Sequence, residues 1–111
     1  QFYYVREQAE VKAKLFKQAL SDIDIAIYLA PDETSFKAEK ASLQLRLNLI
    51  SEAMQTAEQC VKEAPDYSDG YLILGLAQIN SGKKEEGLAN LDKAKNLGNS
   101  QATSLIEKYK K

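Results

Sequence analysis

The 111-residue chain contains no histidine, no tryptophan and a single cysteine. Without histidine it lacks the commonest general base and the imidazole ligands that most zinc sites use. One cysteine excludes a disulfide bond within the chain, and no glycine-rich loop is present to hold a phosphate group. Because no nucleophile–base pair can be assembled, we expect a protein that is not an enzyme and that holds no metal and no cofactor.

Helix-breaking residues and long apolar runs are also scarce. Two prolines and five glycines favour long, uninterrupted helices. No apolar run approaches the roughly 20 residues of a membrane span, and no signal peptide is recognisable, so we expect a soluble chain without membrane insertion and of unknown compartment. A net charge of −1 provides no long-range attraction for nucleic acid, which is therefore not an expected partner.

What the chain does contain is an internal repeat: similar residues recur at one fixed interval, the interval that separates Pro31 from Pro65. Small and helix-breaking residues recur at this step in three registers, namely Ala19, Ala53 and Gly87, then Ala26, Cys60 and Ala94, then Pro31, Pro65 and Asn99. A period of this length is typical of stacked helix–turn–helix units, in which small residues let neighbouring helices approach closely. The sequence therefore predicts an all-α solenoid that forms a single domain over residues 1–111.

The punctuating residues divide the chain into three repeats at about 1–33, 34–67 and 68–101, with a capping helix at about 100–109. We expect helices near 2–13, 17–29, 34–47, 51–63, 68–80, 84–96 and 100–109. The turn inside each repeat falls at Lys14, Asn48 and Gly82. Asn and Gly enter the left-handed conformation that ends helices at low cost, whereas Lys14 does not. In the first repeat, apolar residues at helical spacing run from Phe16 to Leu29 and predict a buried stripe.

The third repeat carries the pattern most completely, with Tyr71, Leu74, Gly75, Gly82, Gly87, Leu91 and Ala94. The second keeps Ala41, Ala53, Cys60 and Pro65, and the first keeps Tyr3, Ala19, Ala26 and Pro31. In these residues the chain resembles the tetratricopeptide repeat family over essentially its whole length. The resemblance implies a right-handed α-solenoid of three helix–turn–helix repeats plus a C-terminal capping helix.

Two repeats depart from the family pattern. Lys37 and Lys40 replace an aromatic residue and a leucine in the second repeat. Arg6, Glu7 and Glu10 replace an apolar, a small and an aromatic residue in the first. Either the first helix is a loosely packed terminal element, or its apolar residues face a helix that precedes this chain.

The resemblance also implies a function, because the family's members are adaptors whose first helices line a concave groove for a peptide or helix of another protein. Carried over one position at a time, the groove residues are Tyr4, Val5, Gln8, Val11, Lys12, Ala38, Glu39, Ser42, Leu45, Arg46, Asp69, Leu72, Ile73, Leu76, Ile79 and Asn80. Four of them, Leu72, Ile73, Leu76 and Ile79, make the third repeat's first helix apolar nearly all round. They form either an apolar groove floor or core beneath the closing helix, which contributes Leu105, Ile106 and Tyr109.

Some members of the family bind the acidic tail of heat-shock chaperones through a clamp of Lys, Asn and Arg. The matching positions here are Tyr4, Gln8, Glu39, Asp69 and Ile73, and the two carboxylates would repel an acidic tail. We therefore expect a different protein or peptide partner. The alternative function is structural, with the apolar floor stacked on a second copy in a homo-oligomer or on the rest of a longer solenoid.

Overall fold

The computed structural model describes the backbone of residues 2–110 and the side chains of residues 12–110. Within this range the chain forms helices and no strand, which confirms the all-α helical-repeat prediction. The helices are α1 (Phe2–Leu29), α2 (Thr34–Arg46), α3 (Ile50–Glu63), α4 (Ser68–Asn80), α5 (Lys84–Asn96) and α6 (Ser100–Lys110). Helices α2 and α3 form one hairpin, α4 and α5 form the next, and α6 packs on α5.

The turns inside the second and third repeats lie where the sequence predicts them. Asn48 and Gly82 adopt φ angles of 62° and 91°. In each turn the following N–H closes back onto the helix: Leu49 donates to the Gln44 carbonyl and Lys83 to the Gln78 carbonyl, both at 2.8 Å. These bonds satisfy carbonyl groups that the helix end leaves open, so the residue in the left-handed conformation terminates the helix.

The predicted turn at Lys14 is wrong, because α1 continues through it as one helix of 28 residues. A helix of that length spans about 42 Å. Lysine gains nothing from a left-handed conformation, which costs an L-residue with a Cβ roughly 1–2 kcal/mol, and continuing the helix keeps the backbone hydrogen-bonded. The first repeat is therefore not a helix–turn–helix unit.

Two adjoining clusters of apolar side chains make up the core. The first joins α2, α3 and α4, and contains Ala38, Ala41, Ala57, Cys60, Ile73 and Leu74. The second joins α4, α5 and α6, and contains Tyr71, Leu72, Leu91, Ala94 and Ala102. Helix α4 contributes to both clusters, which explains why its sequence is apolar nearly all round.

The first repeat's ladder residues are less buried than the matching residues of the other two. Ala53, Cys60 and Ala94 are fully buried, whereas Ala19 and Ala26 are only half-buried. Leu29 is 75% exposed, so the predicted buried stripe does not reach the end of α1. Because residues 2–13 continue along the axis of α1, they do not fold back over this flank.

Polar side chains link the helices at repeated positions. Thr56 donates to the Gln44 side chain at 2.8 Å, and at the equivalent positions of the next repeat Asn90 donates to the Gln78 side chain at 2.6 Å. Each bond joins the two helices of one repeat. Since Gln44 is buried, the bond also satisfies a polar group that would be costly to leave unpaired.

The two lysines that depart from the family pattern in α2 are paired with acids on neighbouring helices. Lys37 pairs with Glu63 of α3. Lys40 Nζ lies 2.8 Å from Oδ1 of Asp24 on α1. The second of these pairs fixes α1 against α2.

Candidate functional site

An open groove of about 520 Å³ lies between α2 and α4. Helix α2 contributes Ser35, Ala38, Glu39, Ser42, Leu45 and Arg46, and helix α4 contributes Asp69, Leu72, Ile73 and Leu76. On both helices these residues recur every three or four positions, so each helix presents one continuous face. Tyr67, just before α4, and Gln101, on α6, complete the lining.

The base of the groove is apolar and belongs to the core. Ile73 packs in the cluster shared by α2, α3 and α4, while Leu72 packs in the cluster shared with α5 and α6. Leu76 is half-buried and is the apolar side chain of α4 that is most open to the groove. Leu72 and Ile73 are already buried, so the exposed apolar area at the base of the groove comes mainly from Leu76. Apolar area that is removed from water contributes roughly 25 cal/mol per Å².

Two carboxylates lie along the groove. Glu39 on α2 is exposed, and Asp69 in the first turn of α4 is half-buried. The Asn99 side chain donates to Asp69 at 2.8 Å and fixes its orientation. Burial raises the pKa of the neighbouring Tyr67, and the Asp69 carboxylate raises it further. The two carboxylates give this part of the groove a negative character.

The positive charge in the lining comes from Arg46, in the last turn of α2. Its guanidinium lies 5.7 Å from the centre of the Phe16 ring of α1. A cation held over an aromatic face at this distance is attracted by about 0.5–1 kcal/mol when exposed. The contact positions Arg46 at one end of α2 while Glu39 lies two turns away.

The structure brings together around this groove the predicted residues Ala38, Glu39, Ser42, Leu45, Arg46, Asp69, Leu72, Ile73 and Leu76. Three other predicted residues lie elsewhere: Lys12 is exposed on α1, Asn80 ends α4, and Ile79 packs in the cluster with α5 and α6. Tyr4, Val5, Gln8 and Val11 lie outside the residues whose side chains are described. Of the two readings of the apolar α4, Ile79 therefore fits the core reading, whereas Leu72 and Leu76 both line the groove and pack in the core.

Sequence reasoning missed Ser35, Tyr67 and Gln101. The repeat register contained the signal for Ser35, because Ser35 occupies the same repeat position as the predicted residue Asp69. Tyr67 and Gln101 likewise share one repeat position. Tyr67, just before the third repeat, and Gln101, on the closing helix, thus form part of the groove wall.

Among the described residues, no group of acidic or cysteine side chains is arranged to hold a metal ion. None of the helices in the same part of the chain combines the length and the apolarity needed to cross a membrane.

The sequence is similar to known repeat proteins, although no protein-family profile matches it. It is 27% identical over 95 residues to the small glutamine-rich tetratricopeptide repeat-containing protein 2 of Saccharomyces cerevisiae, covering 86% of this chain. It is 33% identical over 67 residues, or 60% of this chain, to tetratricopeptide repeat protein 33 of Xenopus laevis. The chain spans about a quarter of the length of these curated relatives, 28% and 26% respectively.

The fold is similar to solved tetratricopeptide repeat domains. The first such domain of Spaghetti (RPAP3), bound to the HSP90 peptide SRMEEVD, superposes with a TM-score of 0.79 at 20% identity. The match covers 95% of this chain and 85% of that one. The chain is thus a helical-repeat domain with a groove between α2 and α4, the first helices of the second and third repeats. Its fold is that of the tetratricopeptide repeat, and the resemblance inferred from the ladder of small residues is confirmed.

Proposed function

We propose that the groove between α2 and α4 binds a peptide or helix of a partner protein, and that the chain acts as an interaction module rather than as an enzyme. The observation that carries this proposal is the open groove of about 520 Å³, with Leu72, Ile73 and Leu76 at its base. The peptide bound to the first domain of Spaghetti supports the proposal, because a domain of the same fold accommodates a peptide ligand.

The partner donates apolar side chains to the base of the groove, as in helix-in-groove recognition. Glu39 and Asp69 oppose an acidic segment, so the acidic tail of heat-shock chaperones is not the ligand. Because the lining carries charges of both signs, affinity depends only weakly on salt between low and physiological ionic strength. Lys12 lies away from the groove and contributes little.

The direct test uses isothermal titration calorimetry with the full chain. The peptide SRMEEVD serves as the acidic probe, and we expect no measurable binding at physiological salt. A partner recovered by affinity capture is then titrated against the wild type, Leu76→Asp and Ser42→Trp. The first variant places a charge at the apolar base and the second fills the groove, so both should weaken binding at least about tenfold.

Lys12→Ala is the matched control and should bind as the wild type does. Helix content measured by circular dichroism must be unchanged in each variant. Tight binding of SRMEEVD contradicts the exclusion of acidic tails. Normal binding of the partner by Ser42→Trp contradicts the groove itself. The structural alternative, self-association through the same floor, predicts a concentration-dependent dimer in sedimentation that disappears in Leu76→Asp.

A further inference from the structure

Helix α1 carries a second surface that is separate from the groove. Leu15, Ala19, Asp22, Ala26 and Leu29 recur every three or four residues and therefore share one face of the helix. We refer to these five residues as the α1 face. Their equivalents one repeat later are Leu49, Ala53, Thr56, Cys60 and Glu63. In the second repeat, Thr56, Cys60 and Glu63 contact side chains of α2.

In the second and third repeats this face is covered by the repeat's own first helix. Ala53 and Gly87 are buried where the two helices cross, and Cys60 and Ala94 are fully buried. Thr56 and Asn90 each donate a hydrogen bond to a glutamine of the covering helix. On α1 the face is more open: Leu15 is 56% exposed, Leu29 is 75% exposed and Asp22 is exposed, while Ala19 and Ala26 are half-buried.

The C-terminal half of α1 is nevertheless held firmly. Ile23 is buried, Asp24 pairs with Lys40 of α2 at 2.8 Å, and Arg46 of α2 stacks over Phe16. The α1 face therefore belongs to a helix that is already formed and packed on α2, which lowers the entropic cost of docking.

The sequence explains why residues 2–13 do not cover this face in their own repeat. Position 7 is equivalent to Ala41 and Gly75, where two helices cross closely, and it is a glutamate. Position 10 is equivalent to Gln44 and Gln78, and it is also a glutamate. If the first helix folded back, Glu10 would lie opposite Asp22. Both are carboxylates that only accept hydrogen bonds and repel each other, whereas the other repeats have a donor and an acceptor at these positions.

The comparison with the other repeats also indicates which helix would fit on the α1 face. Asp22 accepts hydrogen bonds, and no side chain among residues 12–110 pairs with it, so a covering helix must supply a donor at the position of Gln44. We propose that the α1 face docks an α-helix of a partner protein that places Arg or Lys opposite Asp22. That helix also carries a small residue where it crosses Ala19 and apolar residues against Leu15 and Leu29. The site is distinct from the groove and does not depend on the groove's function.

The probe is a peptide with the sequence of residues 34–49, the chain's own covering helix, held helical by a side-chain lactam on its outward face. Lys37→Leu in the peptide matches Leu29, and Gln44→Arg provides the donor for Asp22. The control peptide carries Lys37→Leu and Gln44→Glu. Both are titrated against the full chain, and we expect the Arg peptide to bind at least about tenfold more tightly than the Glu peptide.

Exchange of the charges makes the test specific. Asp22→Lys changes an exposed residue, and it should reverse the preference so that the Glu peptide binds more tightly than the Arg peptide. Glu39→Lys, in the groove, is the matched control and should leave both affinities unchanged.

Equal affinity for the two peptides, no binding of either, or loss of binding in Glu39→Lys overturns the proposal. The full chain is also examined by sedimentation at increasing concentration. A dimer that Leu29→Glu abolishes would show that a second copy occupies the face, and it overturns the assignment to a partner protein.

Discussion

Gly75 of α4 and Gly87 of α5 face each other so closely that a Cβ atom on Gly75 would lie 2.7 Å from the Gly87 carbonyl oxygen. Their equivalents in the second repeat, Ala41 and Ala53, are fully buried. The third repeat thus has a tighter helix crossing than the second, and its two helices form the second core cluster together with α6.

This crossing predicts a large effect for a single methyl group. In Gly87→Ala the new Cβ would lie 2.5 Å from Cγ1 of Ile79 and 2.6 Å from the Gly75 carbonyl oxygen. Since one of these atoms is backbone, α4 and α5 must move apart, and we expect a loss of about 1–3 kcal/mol in the free energy of unfolding. Urea denaturation measures it. Glu86→Ala, at the exposed neighbouring position, should change stability by less than about 0.5 kcal/mol, and equal stability of both variants would contradict this packing.

The uncovered flank of α1 predicts a difference between two equivalent alanines. Ala53→Leu inserts a large side chain where α2 and α3 meet, at a fully buried position, and should destabilise by about 1–3 kcal/mol. Ala19→Leu, at the equivalent position of the first repeat, enlarges a half-buried residue with no helix folded over it and should cost clearly less. Thermal unfolding of both variants tests this. A larger loss for Ala19→Leu would mean that a helix does cover the flank.

Three substitutions should convert α1 into a helical hairpin. Glu7→Ala places a small residue where the two helices of the hairpin would cross. Glu10→Gln provides a donor for the Asp22 carboxylate, and Lys14→Gly provides a residue that readily adopts the left-handed conformation of the turn. In the wild type, spin labels at positions 3 and 28 should lie about 37 Å apart, the rise of the helix between them.

In the triple variant this distance should fall to about 10–15 Å, since packed helices lie about 8–10 Å apart. The labels are attached through Tyr3→Cys and Tyr28→Cys in a Cys60→Ala background and measured by electron paramagnetic resonance. Lys14→Gly alone should keep the long distance, because the two glutamates remain. A short distance in that single variant would show that the turn residue alone determines the conformation.

The buried thiol of Cys60 predicts how stability changes at alkaline pH. Burial raises the pKa of Cys60, and the nearby Glu63 raises it further. Above the ordinary pKa of a thiol, about 8.5, the unfolded chain loses this proton while the folded chain retains it. The contribution of Cys60 to stability is therefore present at neutral pH and declines as the pH rises, by at most about 1.4 kcal/mol per pH unit.

The measurement is the free energy of unfolding of wild type and Cys60→Ala from pH 7 to 10.5. Their difference should drift in favour of Cys60→Ala as the pH rises. A constant difference would show that the thiol ionises equally in the folded and unfolded chains.

The parts of the fold that follow from local chemistry were predictable from the sequence. Asn48 and Gly82 mark real turns because a left-handed residue ends a helix wherever it occurs. The continuous α1 was not predicted, although the signal was present in Lys14, Glu7 and Glu10. The repeat register suggested a turn there, and the cost of two opposed carboxylates becomes evident only after the hydrogen bonds of the other repeats are known.

For the candidate site, the register predicted most of the α2 and α4 residues that line the groove, while their role in binding stays a prediction. The register could not show whether Ile79 lines the groove or packs in the core, because that depends on how α5 crosses α4. Nor did it identify Gln101, which reaches the groove only through the way α6 packs on the end of the stack.

Asn99 gives the closing helix an influence on the groove. Its side-chain oxygen accepts from the Gln101 N–H at the start of α6, and its side-chain nitrogen donates to Asp69. One amide group thus participates in both the capping of α6 and the orientation of a groove carboxylate. If the groove binds a partner as proposed, a cationic contact that draws Asp69 away from Asn99 should loosen the start of α6, and fraying of α6 should free Asp69 in return. Groove binding and the opening of the closing helix would then be two linked equilibria, each of which shifts the other by the same free energy.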